Sequence, residues 1–350
     1  MDKAVSGGET SRAGCTLARA MIEELLAGRD WLLADGATGT NLFAMGLASG
    51  AAPELWNAAH PDRIRRLHQD FVDAGADIIL TNSFGANARR LALHGAEART
   101  HELNALAARH ARAVADAAGR RVLVAGSVGP TGELFAPLGM LTEAAAVAVF
   151  TEQIEGLRAG GADLAWIETM SAMEEMRAAA TAAARVGMAF VVTASFDTAG
   201  NTMMGVTPGA MARAVPAFVP PPHGIGCNCG VGAADLVVSV LAMSEAAPDA
   251  LVIAKANCGV PRVSGDVVSY SGTPELMADY ARLALDAGAR IIGGCCGTSA
   301  VHLAAMRRAL EGHRRRARPD LAAVVATLGP LASPPARADA ARRVNRRRAG

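Results

Sequence analysis

The chain has 350 residues, 51% of them hydrophobic, and carries 34 Lys and Arg against 33 Asp and Glu, a formal net charge of +1. That balance argues against nucleic acid or an acidic membrane as partner, and the apolar content can fill one large domain or two ordinary ones. No apolar run approaches the roughly 18–20 residues needed to span a bilayer, and the opening MDKAVSGGETSRAGC lacks the apolar core of a signal peptide, so a soluble cytoplasmic protein is expected.

In chain order, residues 1–28 read as a polar extension leading into a short helix at Thr16–Ala27. Strand-like runs follow at 31–35, 76–82, 122–128, 164–168, 190–196, 223–229, 251–257 and 291–296. Most are continuously apolar rather than alternating, as strands buried on both faces should be. Helical patterns lie between them at Arg63–Ala74, Glu97–Ala118, Thr142–Ala159, Met173–Val186 and Pro274–Ala287, with a closing helix at 300–311. Eight strands alternating with helices predict a single α/β (β/α)8 barrel over residues 29–312. A doubly wound sheet is the alternative, but its glycine fingerprint is missing: the first strand runs into Asp35-Gly36-Ala37-Thr38-Gly39-Thr40. Residues 313–350, rich in Arg with Pro between, read as a basic, disordered tail.

Barrel active sites sit at the C-terminal strand ends, and polar residues collect there: Asp35-Gly36, Thr81-Asn82-Ser83, Glu168-Thr169, Asn228-Cys229, Asn257-Cys258 and Cys295-Cys296. The six cysteines fit metal or catalytic use better than a disulfide framework in reducing cytosol. Cys229 lies in GCNCG (226–230), and Cys295 and Cys296 lie in GGCCGT (293–298). Three protein ligands with an open fourth position describe a catalytic zinc. Consecutive strand residues point to opposite faces, so the cysteine pair can share one metal only if the strand ends or kinks, a freedom Gly293, Gly294 and Gly297 provide. Thr298 or Ser299 then caps the closing helix. Cys15 and Cys258 read as small buried hydrophobes. Cys227 rivals Cys229 if the strand bends there.

One Zn2+ per chain with three thiolates would deprotonate an incoming substrate thiol, suiting attack of that sulfur on an activated methyl or alkyl carbon. Other readings are a thiol-binding or redox protein using a vicinal Cys295–Cys296 disulfide, and an aldolase-like lyase for which Lys255 is the one candidate Schiff-base amine.

The segments LLADGATGT, PELWNAAHPDRIRRLHQDFVDAGADIILTNSFGANARRL, GCNCG and ARIIGGCCGT together resemble the homocysteine S-methyltransferase family over about residues 29–312. That family includes betaine–homocysteine methyltransferase and the homocysteine module of cobalamin-dependent methionine synthase. The resemblance implies zinc on Cys229, Cys295 and Cys296, and methyl transfer to homocysteine giving methionine. It implies that Asp35 and Gly36 hold the amino-acid end of homocysteine and that Glu168 pairs with its ammonium. Asn257 matches a position that can fill the metal's open site, or is a turn residue. Betaine is the favoured donor, with dimethylglycine as product; S-methylmethionine or a methyl-corrinoid protein partner are the alternatives. Betaine calls for aromatic faces, and the candidates near the mouth are Phe43, Trp56, Phe84 and Tyr270. The chain departs from the animal betaine enzymes in having Thr169 after Glu168 and Gly85 after Phe84, where tyrosines are expected, and in lacking a long C-terminal dimerisation arm. A homo-oligomer stays open.

Overall fold

The computed structural model describes residues 20–264 and 267–332. Eight strands form one parallel sheet: β1 (Leu32–Leu33), β2 (Ile78–Leu80), β3 (Leu123–Val128), β4 (Leu164–Met170), β5 (Phe190–Ala194), β6 (Ile225–Cys229), β7 (Val252–Ala256) and β8 (Ala289–Gly294). Neighbours in space are neighbours in sequence, β1 pairs with β8, and the bridge Ala34↔Ile78 joins β1 to β2, so the sheet closes on itself. This is the expected (β/α)8 barrel.

The strands are apolar throughout because both faces are covered. Leu32, Ile78, Leu123, Trp166, Val191 and Ile253 belong to the cluster that fills the barrel interior. Leu33, Ile79, Val124, Ile167 and Val192 face the other way, into the larger cluster shared with the helices. Alternating side chains therefore feed two cores from one run of residues.

Helices Pro61–Asp73, Thr100–Ala117, Glu143–Ala159, Met173–Val186, Pro274–Ala287 and Ala300–Glu311 stand where the sequence places them. Ser299 rather than Thr298 caps the closing helix, sharing reciprocal hydrogen bonds with His302. Residues 20–27 are helical, while the start expected at Thr16 and Cys15 lie outside the described residues. Helices Pro208–Ala214 and Ala233–Ala246 were not anticipated. The second, AADLVVSVLAMSEA, buries so much of its circumference that its sequence shows no clear amphipathic stripe. A hairpin of Pro261–Ser264 and Val267–Tyr270 also interrupts the β7-to-helix connection.

The tail expected to be disordered from residue 313 is structured through residue 332. Asp286 accepts from the His313 ring at 2.9 Å and from the Arg316 N–H at 2.7 Å. Asp320 caps helix Leu321–Leu328, whose Val324 is fully buried. The run LAAVVATL carries enough apolar surface to dock, and the flanking Arg and Pro residues hide it in composition. Residues 333–350 lie outside the described residues. No described helix is long and apolar enough to cross a membrane.

Candidate active site

Two strand ends deliver the three cysteines. At the end of β6, Cys229 takes φ +63° and Gly230 φ +72°, so the chain turns sharply through the left-handed region. A non-glycine residue there is uncommon and marks a constrained position. At the end of β8, the Thr298 N–H donates to Cys295 O at 3.1 Å, closing a tight turn with Gly297 at φ +81°. A side chain at Gly297 would stand 2.4 Å from the Tyr270 ring, and one at Gly294 would stand 2.3 Å from Thr298. This turn lets adjacent cysteines converge on one centre instead of facing opposite ways. The Sγ atoms of Cys229, Cys295 and Cys296 all lie within 4.8 Å of one another, and Cys229 and Cys296 are 4.0 Å apart. All three are partly exposed and therefore reachable.

The thiols divide their protons unequally. Hydrogen bonds from Cys229 and Cys295 bring Cys296 down to about 3, while those same bonds and burial push Cys229 well up. Cys295, drawn down by Cys229 but raised by Cys296 and burial, ends at about 12. The Tyr270 hydroxyl also hydrogen-bonds Cys296, from the hairpin the sequence did not reveal. A central cation would stabilise the thiolate form of all three. The donor set fits zinc: tetrahedral sulfurs on Zn–S bonds of ~2.3 Å stand ~3.8 Å apart, close to the observed spacing. Beside them, at the end of β7, Asn257 donates to Gly230 O at 2.7 Å, while its buried Oδ1 has no hydrogen-bond partner among the described residues. An orphaned buried acceptor is costly unless something occupies it.

Below the cysteines lies a charged floor. Glu168 lies near the end of β4, is 8% exposed, and accepts from Ser127 Oγ at 2.5 Å. Burial raises its carboxyl to about 7, against the pull of Lys255. Lys255 on β7 and Asp35 after β1 form an ion pair of 2.7 Å with side chains only 3% and 2% exposed. Asp35 Oδ2 accepts from the Leu80 N–H at 2.7 Å, so both carboxylate oxygens are engaged. Lys255 also stands 5.6 Å from the centroid of the Trp166 ring. Burial opposes its charge, but Asp35 and Glu168 more than compensate and hold the ammonium protonated. Such a paired ammonium is a poor Schiff-base nucleophile, which removes the basis of the lyase reading. Gly36 admits a close crossing: a Cβ there would meet Thr298 O at 2.6 Å and the Phe71 ring at 2.7 Å.

Cys227 does not join the cluster. It is 1% exposed, with Sγ directed at Leu236 O and Ile253 O, and burial raises its thiol strongly. Cys258 is likewise a core residue. Of the four aromatics, Phe43 is exposed on the short helix Gly39–Ala44 after β1, Phe84 is exposed on the loop after β2, and Tyr270 borders Cys296. Trp56 is buried against His60 and Arg63 instead. Sequence reasoning missed Ser127, the counter-ion role of Lys255 and the contacts of Asn228. Only Asn228 had a signal, its place inside GCNCG.

The family model described as homocysteine S-methyltransferase matches residues 32–310. A methionine synthase of Mycobacterium tuberculosis (strain ATCC 25618 / H37Rv) is 30% identical over 303 residues, which cover 81% of this chain and 25% of the relative. The chain thus spans about a quarter of that relative's length. Among solved structures, the metallated form of the homocysteine methyltransferase MmuM from Escherichia coli aligns with TM-score 0.69 and 27% identity, over 82% of this chain and 99% of that one. Its oxidized form aligns with TM-score 0.70 and 26% identity over the same shares.

Proposed function

This chain belongs to the homocysteine S-methyltransferase family, and on that premise we propose that it methylates the thiol of homocysteine to methionine, using zinc held by Cys229, Cys295 and Cys296. The observation that carries the reading is the convergence of three Sγ atoms within 4.8 Å at the open end of the barrel. Zinc bound there supplies the positive charge that deprotonates an incoming thiol at neutral pH. Asn257 Oδ1, buried and without a hydrogen-bond partner among the described residues, would be available to the metal before substrate arrives.

The rest of the chemistry belongs to the chain. Glu168 receives the homocysteine ammonium in a charge-assisted hydrogen bond. Asp35 acts through Lys255, because its own oxygens are committed to that ammonium and to Leu80. With Asp35 and Lys255 cancelling, an ionised Glu168 leaves one net negative charge, matched to one substrate ammonium. Gly36 lets the first βα loop pass close against Thr298 and shape the amino-acid end. The barrel over residues 29–312 holds every group named.

The donor proposed is a small methylated onium compound, betaine first. Phe43 and Phe84, both exposed, and Tyr270, beside Cys296, are the aromatic side chains available to such a cation; Trp56, being buried, is not among them. S-methylmethionine and a methyl-corrinoid protein are the competing donors, the latter suggested by the methionine synthase relative. The test is zinc-loaded protein, homocysteine and each donor in turn, with methionine read by mass spectrometry. Equal methionine and dimethylglycine from betaine is expected. Methionine from another donor alone overturns the betaine assignment, and protein that takes up no zinc overturns the whole reading.

A further inference from the structure

We propose that Asn228 is a positioning residue that fixes the direction of Glu168, and thereby selects thiols bearing an ammonium group. The inference rests on the proposed homocysteine site and adds to it a residue that touches no substrate.

Asn228 lies on β6, two strands from Glu168 on β4, and is 1% exposed. Its Oδ1 accepts from the Thr169 N–H at 2.9 Å and from Thr193 Oγ1 at 2.7 Å. Its Nδ2 donates to Thr169 Oγ1 at 2.7 Å and approaches Cys295 Sγ at 4.0 Å. Every hydrogen-bonding position of the amide is thereby directed at a neighbour. One side chain spans β4, β5 and β8.

Thr169 explains why this matters. It sits at φ +61°, a left-handed conformation that is a true outlier for a β-branched residue. The β4–β5 register shifts between Ile167 and Met170, so Glu168 and Thr169 form a bulge. A bulge re-aims the side chain it carries, and here that side chain is the Glu168 carboxylate. A strained bulge persists only where its surroundings over-determine it. Asn228 does so by holding both the N–H and the hydroxyl of Thr169.

The test compares binding of L-homocysteine and of 4-mercaptobutanoate, which keeps the thiol and carboxylate but lacks the amine, to zinc-loaded protein by calorimetry. For Asn228→Ala, homocysteine should weaken by about tenfold, the size of one misaligned hydrogen bond to a charge. The desamino thiol should bind as it does to wild type, zinc stoichiometry should hold, and Thr169→Ser, which keeps the hydroxyl, should behave as wild type. Equal weakening of both thiols, or no weakening of either, overturns the proposal. If Asn228→Ala does not fold, Thr169→Ala is read by the same criterion. Wild type that binds neither thiol refutes the homocysteine site itself, and the proposal with it.

Discussion

Replacing Lys255 with methionine keeps the length of the aliphatic stem and deletes one buried charge. In the native barrel the Lys255 ammonium is 2.7 Å from Asp35 Oδ1, and neither side chain reaches solvent appreciably. The variant leaves Asp35 Oδ1 without its donor, while Oδ2 keeps the Leu80 N–H. Stranding one member of a buried pair costs about 3–5 kcal/mol, or roughly 4–7 °C in melting temperature at ~1.4 °C per kcal/mol for a chain of 350 residues. The loss should depend on pH with a definite sign. Burial already raises Asp35 in the native protein, and without Lys255 its folded-state pKa rises further above the unfolded value. The deficit is therefore full at neutral pH and fades as pH falls toward the ordinary carboxylate range, where Asp35 is neutral in both states. Denaturant melts of wild type, Lys255→Met and Lys255→Met/Asp35→Asn at pH 7.5 and pH 5 measure this. The double variant should recover most of the stability. A single variant losing under about 1 kcal/mol, the scale of an exposed pair, would refute the argument that this ion pair is buried and structurally required.

Glu168→Gln should raise the KM for homocysteine far more than it lowers kcat, and should flatten the pH profile of KM. In the native protein the Glu168 carboxyl, held at about 7, protonates as pH drops below that value and releases the substrate ammonium. Because its folded pKa is raised, ionisation of Glu168 costs stability as pH rises through 7, so Glu168→Gln should melt higher than wild type at pH 8 and equally at pH 4. Gly297→Ala forces a side chain into φ +81° and to within 2.4 Å of the Tyr270 ring. Zinc content should fall below one equivalent while far-UV circular dichroism is retained. Truncation after residue 312 removes the His313–Asp286 contact and the buried Val324; melting temperature should drop with zinc stoichiometry unchanged.

Much of the architecture is legible in composition and order. Strands buried on both faces must be apolar along their whole length, and helices of standard length separate them, so the eightfold alternation is visible without any long-range contact. Helix Ala233–Ala246 was not, because a helix buried nearly all round loses its stripe. The Leu321–Leu328 helix was missed for a related reason: it is a short element that docks through the buried Val324.

The sequence alone singled out the three thiols that the fold brings together, because glycine-flanked cysteines stand at separated strand ends, and it marked Glu168 as a carboxylate on a neighbouring strand. Tertiary structure decided how those groups work. Cys227 and Cys229 are chemically alike in the sequence, and only the left-handed turn at Cys229 sends one thiol to the site and the other into the core. Nothing local to Asp35 announces that Lys255, 220 residues away, is its ion-pair partner. Asn228 reads only as one polar strand-end residue among several until its amide is seen holding Thr169. Each depends on which strands become neighbours when the sheet closes, and a pairing set by closure has no local signature in the chain.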